Sequence, residues 1–229
     1  MAWVSLGDFD KMKRNIKQMY DGSYWDVAHK SPFIFKKLKT VYDLIKLRKT
    51  GALLDCGCGE GDSLKFFDSH GYSCYGFDVS SRIVDQLLRQ GFKVSKGDLE
   101  VGVPFTFKFD VITCLDVVEH IYDTCKVLGN LKSSLKDDGV LVISIPNDFT
   151  IFHRVKILFG IIYYEIYSSH IHYFAPKQFR RILNDCGFKI VEEKNISVNV
   201  PVFNPVLDVL ANVIPNLFAQ SYVFVVSKT

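Results

Sequence analysis

No stretch of this chain approaches the roughly 20 consecutive apolar residues that a membrane-crossing helix needs. Its longest candidates, Ile157 to Tyr164 and Val200 to Val213, are short or broken by prolines and polar residues. The N-terminus lacks the basic-then-apolar pattern of a secretory signal. There is no internal repeat and no low-complexity tract. The 6 cysteines are scattered without a pairing pattern, so a reduced, cytoplasmic setting is expected. Only Cys56 and Cys58 lie close together, and zinc pairs usually keep at least two residues between ligands. That pair reads as small residues packing a turn. What the chain does have is bulk for a core: 229 residues, 48% hydrophobic and 23% charged, enough for one large domain or a domain with a cap.

A further absence is more specific. A short apolar run ends in a carboxylate and meets three glycines, Leu53-Leu54-Asp55-Cys56-Gly57-Cys58-Gly59-Glu60-Gly61. Dinucleotide sites need glycines spaced G-x-G-x-x-G. Here the spacing is G-x-G-x-G, followed by Asp62. A pyrophosphate at that helix mouth would face Glu60 and Asp62, so a nicotinamide-dependent oxidoreductase is disfavoured. A cofactor without phosphate fits the loop better.

The remaining pattern alternates strand and helix. Strands are expected at Ala52 to Cys56, Cys74 to Val79, Phe92 to Ser95, Phe109 to Leu115, Gly139 to Ile145, Phe188 to Glu193 and Tyr222 to Ser227. Helices are expected from Asp62 to His70, around Ile83 to Leu88, around Leu128 to Leu135 and around Phe179 to Cys186. Short continuous apolar strands separated by helices indicate a mainly parallel sheet covered on both faces. Ligands on such a sheet sit at the carboxyl ends of strands, at the switch point. The acidic residues fall there: Asp55, Asp78, Asp98 and Asp116.

Charge is uneven. Residues 1–50 hold 11 Lys and Arg against 5 Asp and Glu, and the remainder holds 17 against 20. A basic arm suits an anionic partner, but Ile34, Leu38, Val41, Tyr42 and Ile45 form one helical face. The lysines at 36, 37, 39 and 46 then lie mostly around the other side, as a solvated face.

Four stretches in order, LLDCGCGEG, YGFDVS, GDLE and FDVITCLDVVEHIYD, resemble the signatures of the class I S-adenosylmethionine (SAM)-dependent methyltransferases. LKDDGVLVISIPN and, more loosely, HYFAPKQFRRILNDCGF continue the resemblance. The small-molecule subgroup that includes the ubiquinone-pathway O-methyltransferases is the most similar. The resemblance implies a Rossmann-like α/β fold, with a seven-stranded mainly parallel sheet, helices on both faces, an antiparallel last strand and a small acceptor-cap insertion. It implies one domain: a helical cap over 1–50, a SAM-binding core over 51–146, the acceptor cap over 147–175 and the C-terminal part of the sheet over 176–229. For the cofactor it implies Gly57, Cys58, Gly59 and Gly61 at the methionine part, with Asp55 ordering the loop. Asp78 and Val79 fall to the ribose, Asp98 and Leu99 to the adenine, Leu115 to the ammonium and Tyr24 to a cover, with Tyr20 and Trp25 as further candidates.

Methyl transfer to a hydroxyl also needs a proton removed, and histidine suits that near neutral pH. His120, just after the fourth strand, and His172, after the fifth, are the candidate bases. A divalent ion is a further option, because some members carry Glu-x-x-Glu-His and a later histidine, here His170 or His172. If a helix began at Asp116, then Asp116, Glu119 and His120 would share a face. Asp116 in place of the first Glu counts against that option, and no metal ligand is assigned from the sequence. The aromatic content of Phe149 to Phe174 favours an apolar or aromatic small-molecule acceptor. The apolar C-terminal segment, with Pro201, Pro205 and Pro215, suits an extension of that pocket or a homodimer contact. A nucleic-acid methyltransferase and a non-catalytic SAM-binding protein are the alternatives. The basic first third is the only support for the former.

Overall fold

The computed structural model describes residues 32–47, 51–160, 170–197 and 204–229. Tyr20, Tyr24 and Trp25 lie outside the described residues. In order the elements are α1 (Pro32–Ile45), β1 (Ala52–Cys56), α2 (Asp62–Asp68), β2 (Ser73–Asp78), α3 (Ser81–Arg89), β3 (Lys93–Lys96), β4 (Phe109–Leu115), a 3₁₀ turn (Val118–His120) and α4 (Thr124–Ser134). Then follow β5 (Leu135–Pro146), α5 (Ile151–Leu158), α6 (Pro176–Asp185), β6 (Phe188–Ser197), α7 (Asn204–Val213), α8 (Pro215–Phe218) and β7 (Ala219–Lys228).

The strands form one seven-stranded sheet in the order β3-β2-β1-β4-β5-β7-β6. The first five strands pair in parallel, and β7 runs antiparallel to both β5 and β6. Chain order reverses between β1 and β4, which opens the crevice there. Adjacent residues on each strand point to opposite faces, and both faces are apolar. Leu54, Ile112, Leu141 and Phe224 pack under α4 and α6. Their neighbours Leu53, Val111, Val142 and Val225 pack under α1, α2 and α3.

Strand β5 begins at Leu135, before the expected Gly139. Leu135 pairs with Phe109 across a register shift in β4, and the polar residues Lys136, Asp137 and Asp138 hid that pairing from an apolar-run reading. Strand β6 likewise continues past Glu193 to Ser197. At the far end of β5, Asn147 donates from Nδ2 to the Ala219 carbonyl at 2.8 Å. That bond brings α8 and the start of β7 to the carboxyl edge of the parallel strands. Among the described residues no helix is long and apolar enough to cross a membrane.

One expectation about α1 is corrected. Lys39 and Lys46 are exposed, but Lys37 is buried. It points inward, to the carboxyl end of β4.

Phe179 anchors α6. It is fully buried and packs on Phe224 of β7 and Phe174, with ring centroids 5.4 and 5.1 Å away. Phe179→Ala is expected to lower unfolding stability by about 3–5 kcal/mol in urea titration monitored by circular dichroism. A loss within measurement error would show that α6 does not close this core.

Candidate active site

The glycine loop joins β1 to α2. The amides of Gly57 and Cys58 both donate to the Phe77 carbonyl, at 2.9 and 3.1 Å. Gly57, Gly59 and Gly61 all have positive φ, at 69°, 47° and 78°, which L side chains rarely adopt. Space matters too. A Cβ on Gly57 would lie 2.8 Å from Val117 Cγ2, and one on Gly61 would lie 2.6 Å from Leu87 Cδ2. These two glycines therefore let the loop pack against the turn after β4 and against α3.

Two buried carboxylates hold the loop from below. Asp78, at the end of β2, accepts from the Gly59 amide at 3.0 Å and from the Ser80 amide at 2.9 Å. Asp55, in β1, accepts from the Thr113 hydroxyl at 2.7 Å. Burial pushes the Asp55 carboxyl up to about 7, against the opposing pull of the Thr113 hydrogen bond.

At the end of β4 no helix begins. Asp116 has φ 54°, the only positive value at a non-glycine position among the described residues. Three bonds hold it there. Its amide donates to Ser144 Oγ at 3.0 Å, and the Ser144 hydroxyl donates back to its carboxylate at 2.8 Å. The buried ammonium of Lys37 pairs with the other carboxylate oxygen. Burial alone would raise the Asp116 carboxyl; the charge and hydrogen bond of Lys37, with Ser144, hold it below the ordinary value. The shared helical face expected for Asp116, Glu119 and His120 is thus absent.

The 3₁₀ turn that follows sends Glu119 inward. Its side chain is 1% exposed, and neither carboxylate oxygen has a hydrogen-bond partner among the described residues. Burial, reinforced by the negative charge of Asp116, pushes its carboxyl well above the usual range. Two imidazoles face it: His120 Nε2 is 4.0 Å and His170 Nε2 is 3.9 Å from Glu119 Oε1. The rings are 4.9 Å apart and edge to face. His170 Nδ1 lies 3.6 Å from Asp148 Oδ1. The amides of Ile171 and His172 bond to the Glu119 carbonyl, which fixes this segment over the turn. His172 itself turns away, with Nε2 3.3 Å from the Tyr122 carbonyl and its ring 5.3 Å from that of Phe174. Of the two later histidines, His170 is the one that meets Glu119.

The other candidates border the same edge. Val79 and Leu115 are half-buried at the ends of β2 and β4, and Cys58 is buried in the loop. Asp98 is half-buried after β3 and accepts from the Glu100 amide at 3.1 Å. Leu99 is buried, and its carbonyl accepts from Asn130 at 2.8 Å. Tyr24 lies outside the described residues. Lys37, Ser144 and Asp148 are site residues that sequence reading missed. For Lys37 a signal existed, since it neighbours the apolar stripe at Leu38 and Val41.

Comparisons agree with this geometry. The profile of a family described as a methyltransferase domain matches residues 28–193. A ubiquinone biosynthesis O-methyltransferase from Rickettsia typhi is 27% identical over 187 residues, covering 73% of this chain and 71% of that protein. One from Coxiella burnetii is 29% identical over 119 residues, covering 48% of this chain and 50% of that protein. In fold the chain is similar to magnesium protoporphyrin IX methyltransferase from Synechocystis, solved with bound SAH, at a TM-score of 0.68 and 16% identity, covering 95% of this chain and 100% of that one. It is also similar to a SAM-dependent methyltransferase from Archaeoglobus fulgidus, at a TM-score of 0.58 and 20% identity, covering 86% and 99%. Sheet order, glycine loop and acidic strand ends define a Rossmann-like methyltransferase. The chain belongs to the class I SAM-dependent methyltransferases.

The raised carboxyl of Asp55 has a consequence for stability. Its folded value, about 7, lies above its unfolded one, so between about pH 4 and pH 7 the native state binds the extra proton. Stability from this group therefore falls as pH rises through that window. Asp55→Asn keeps an acceptor for Thr113 and removes the titration. Its Tm should decline less than that of the unaltered protein between pH 5 and pH 7. Parallel Tm profiles would show that Asp55 is ionised throughout.

Proposed function

We propose that this protein transfers a methyl group from SAM to the hydroxyl oxygen of a small, largely apolar or aromatic acceptor. The observation that carries this reading is the meeting of two constellations at one sheet edge. The glycine loop with Asp78 and Asp98 forms a cradle without phosphate ligands, and Glu119 and His120, a few residues past β4, meet His170 from the segment that follows α5. When bound, SAM supplies an electrophilic methyl on a cationic sulfonium.

The residues fit that group. Asp78 closes β2 beside the glycine loop, and a ribose diol donates to a carboxylate in that position. Asp98 and the Leu99 backbone suit the adenine. Gly57 is exposed and Leu115 half-buried at the same edge, where the cofactor's ammonium end would lie. The core over 51–146 then binds SAM, and the segment over 147–175 covers the acceptor. The reaction forms an oxygen–carbon bond, breaks the sulfur–carbon bond and releases the hydroxyl proton. His120, half-buried beside Glu119, is the group to receive it. Alignment of the two reactants can supply about 7–11 kcal/mol of the barrier.

The geometry also favours a second reading of the same cluster. One ligand atom each from Glu119, His120 and His170 lie within 4.8 Å of one another. Ligands about 2.0–2.2 Å from a shared ion stand roughly 3–4 Å apart, close to the 3.9 and 4.0 Å separations here. A divalent ion would satisfy both orphan oxygens of Glu119 and would lower the pKa of an acceptor hydroxyl.

Two experiments test these roles. Bonds to a charged group contribute about 1.5–3 kcal/mol, so Asp78→Ala should weaken SAM binding about ten-fold or more in calorimetry, and Asp78→Asn less. Unchanged affinity in folded Asp78→Ala would put the ribose elsewhere. For the proton, His120→Ala should leave SAM affinity nearly intact and cut turnover by about 10²–10⁴-fold. If the cluster holds a metal, activity also vanishes in chelator and returns with added Mg²⁺, and Glu119→Ala behaves alike. A fully active, chelator-insensitive His120→Ala protein would remove both roles.

A further inference from the structure

Two of the cysteines meet at the surface. Cys56, Cys58, Cys74 and Cys114 are buried in the glycine loop and the sheet, and burial pushes all four thiols up. The thiolate is the reactive form, so these four are poor nucleophiles. Cys125 is exposed and Cys186 half-buried, and their side chains share a hydrogen bond. Neither belongs to the glycine loop or to the Glu119 cluster.

Packing on both sides fixes the pair. Cys125 is the second residue of α4, and Cys186 caps the C-terminus of α6. Residues 125, 128 and 132 lie three and four apart, so they share one face of α4. Leu128 of that face is in the same buried cluster as Leu183 of α6, and Cys186 packs against that cluster. The Lys132 ammonium lies 5.7 Å from the Phe188 ring centroid and beside Gly187. Both ends of this face, Cys125 and Lys132, thus meet the turn from α6 to β6. The turn is held by its own backbone. The Cys186 amide donates to the Ile182 carbonyl at 3.0 Å, and the Gly187 amide to the Asn184 carbonyl at 2.9 Å.

The two thiols differ in their order of reaction. Burial first, then the hydrogen bond and charge of Cys125, push the Cys186 thiol up to about 11. Cys125 is open to solvent. An oxidant therefore meets Cys125 first, and Cys186 stands beside it to resolve the product.

We propose that Cys125 and Cys186 form a reversible dithiol–disulfide site, closed by a small disulfide such as oxidised glutathione. The Cys125 thiolate attacks one sulfur of that disulfide, its S–S bond breaks, and one glutathione leaves as the thiol. Cys186 gives up its proton and attacks the Cys125 sulfur, which forms the Cys125–Cys186 bond and releases the second glutathione. One glutathione disulfide is thereby reduced to two thiols, two protein thiols are oxidised, and their two protons end on the released glutathiones. The new bond closes a covalent ring that contains β5, α5 and His170, and it ties α4, which follows the His120 turn, to the end of α6. This site does not depend on the methyl-transfer reading.

The test incubates the full chain with oxidised glutathione, alkylates the remaining thiols after denaturation and maps the peptides by mass spectrometry. The expected product is an intramolecular Cys125–Cys186 peptide that dithiothreitol reverses, with the four buried cysteines recovered as alkylated thiols. Cys186→Ser should stop at a glutathione adduct on Cys125, and Cys125→Ser should react about ten-fold more slowly. Because the bond constrains a long loop of the unfolded chain, the linked protein should melt about 5 °C or more above the reduced one. The proposal is overturned if both thiols stay free, if each carries its own glutathione, if the disulfide joins two copies of the chain, or if the linked protein melts no higher than the reduced one. That last result would show that the native fold does not bring the two sulfurs together.

Discussion

The ion pair between Lys37 and Asp116 is the contact on which the site's geometry turns. Asp116 sits in the left-handed region at the end of β4, a conformation that costs a non-glycine residue about 1–3 kcal/mol. Lys37 and Ser144 together hold it there. The turn sends the chain into a 3₁₀ segment instead of a helix. It brings Val117 against the glycine loop, where Gly57 has no room for a Cβ, and it points Glu119 inward. A helix from Asp116 would have left Glu119 on a different face. The cofactor loop and the histidine cluster are therefore set by one turn, and that turn is set from outside the sheet by a lysine on α1.

The same pair organises the charges. Asp55, Asp78, Asp116 and Glu119 crowd the carboxyl edge of β1, β2 and β4. Four ionised carboxylates at that spacing would repel one another, and each is handled differently. Asp78 is stabilised by two amides, and Asp116 is kept ionised by Lys37. Asp55 and Glu119 have no such cation, and burial pushes both toward the protonated form. The site can thus hold a cationic ligand with few naked charges. Glu119 stands beside the two imidazoles with both oxygens unpaired among the described residues.

Much of the fold was legible because its signals are local. β1 and β4 were expected at the residues where they occur, since continuous apolar runs ending in Asp55 and Leu115 leave little freedom. The glycine spacing, with Glu60 and Asp62 beside it, already disfavours a pyrophosphate. What escaped depends on pairing between distant segments. The partner of Leu135 is Phe109, so the true start of β5 could not be seen in Lys136-Asp137-Asp138. Nothing in Asp-Val-Val-Glu-His announces a left-handed residue, because Asp116 is held there by groups at positions 37 and 144. His170 and His172 look equivalent in sequence. Two residues apart on a strand they would share a face, but this segment is not a strand, and one meets Glu119 while the other meets the Tyr122 carbonyl. The helical stripe of α1 assigned its lysines to solvent as a class, and Lys37 is the exception because a buried carboxylate was waiting for it.

Adjacent lysines on α1 extend this logic across the molecule. Lys37 reaches β4, while Lys36, one position earlier and about 100° around the helix, reaches Asp208 of α7 and Ser197 of β6, each at 2.8 Å. The Ser197 hydroxyl also donates to Asp208 at 2.6 Å. One helix from the N-terminal part is thereby fastened both to the site and to the C-terminal end of the sheet. A small rotation of α1 cannot relax one contact without straining the other. The paired anchorage gives a physical reason for the basic character of this helix. Two of its cations are structural bolts, and Lys39, paired with Asp43 on the exposed side as is Lys46 just past the helix, behaves as the solvated charge that composition alone would suggest.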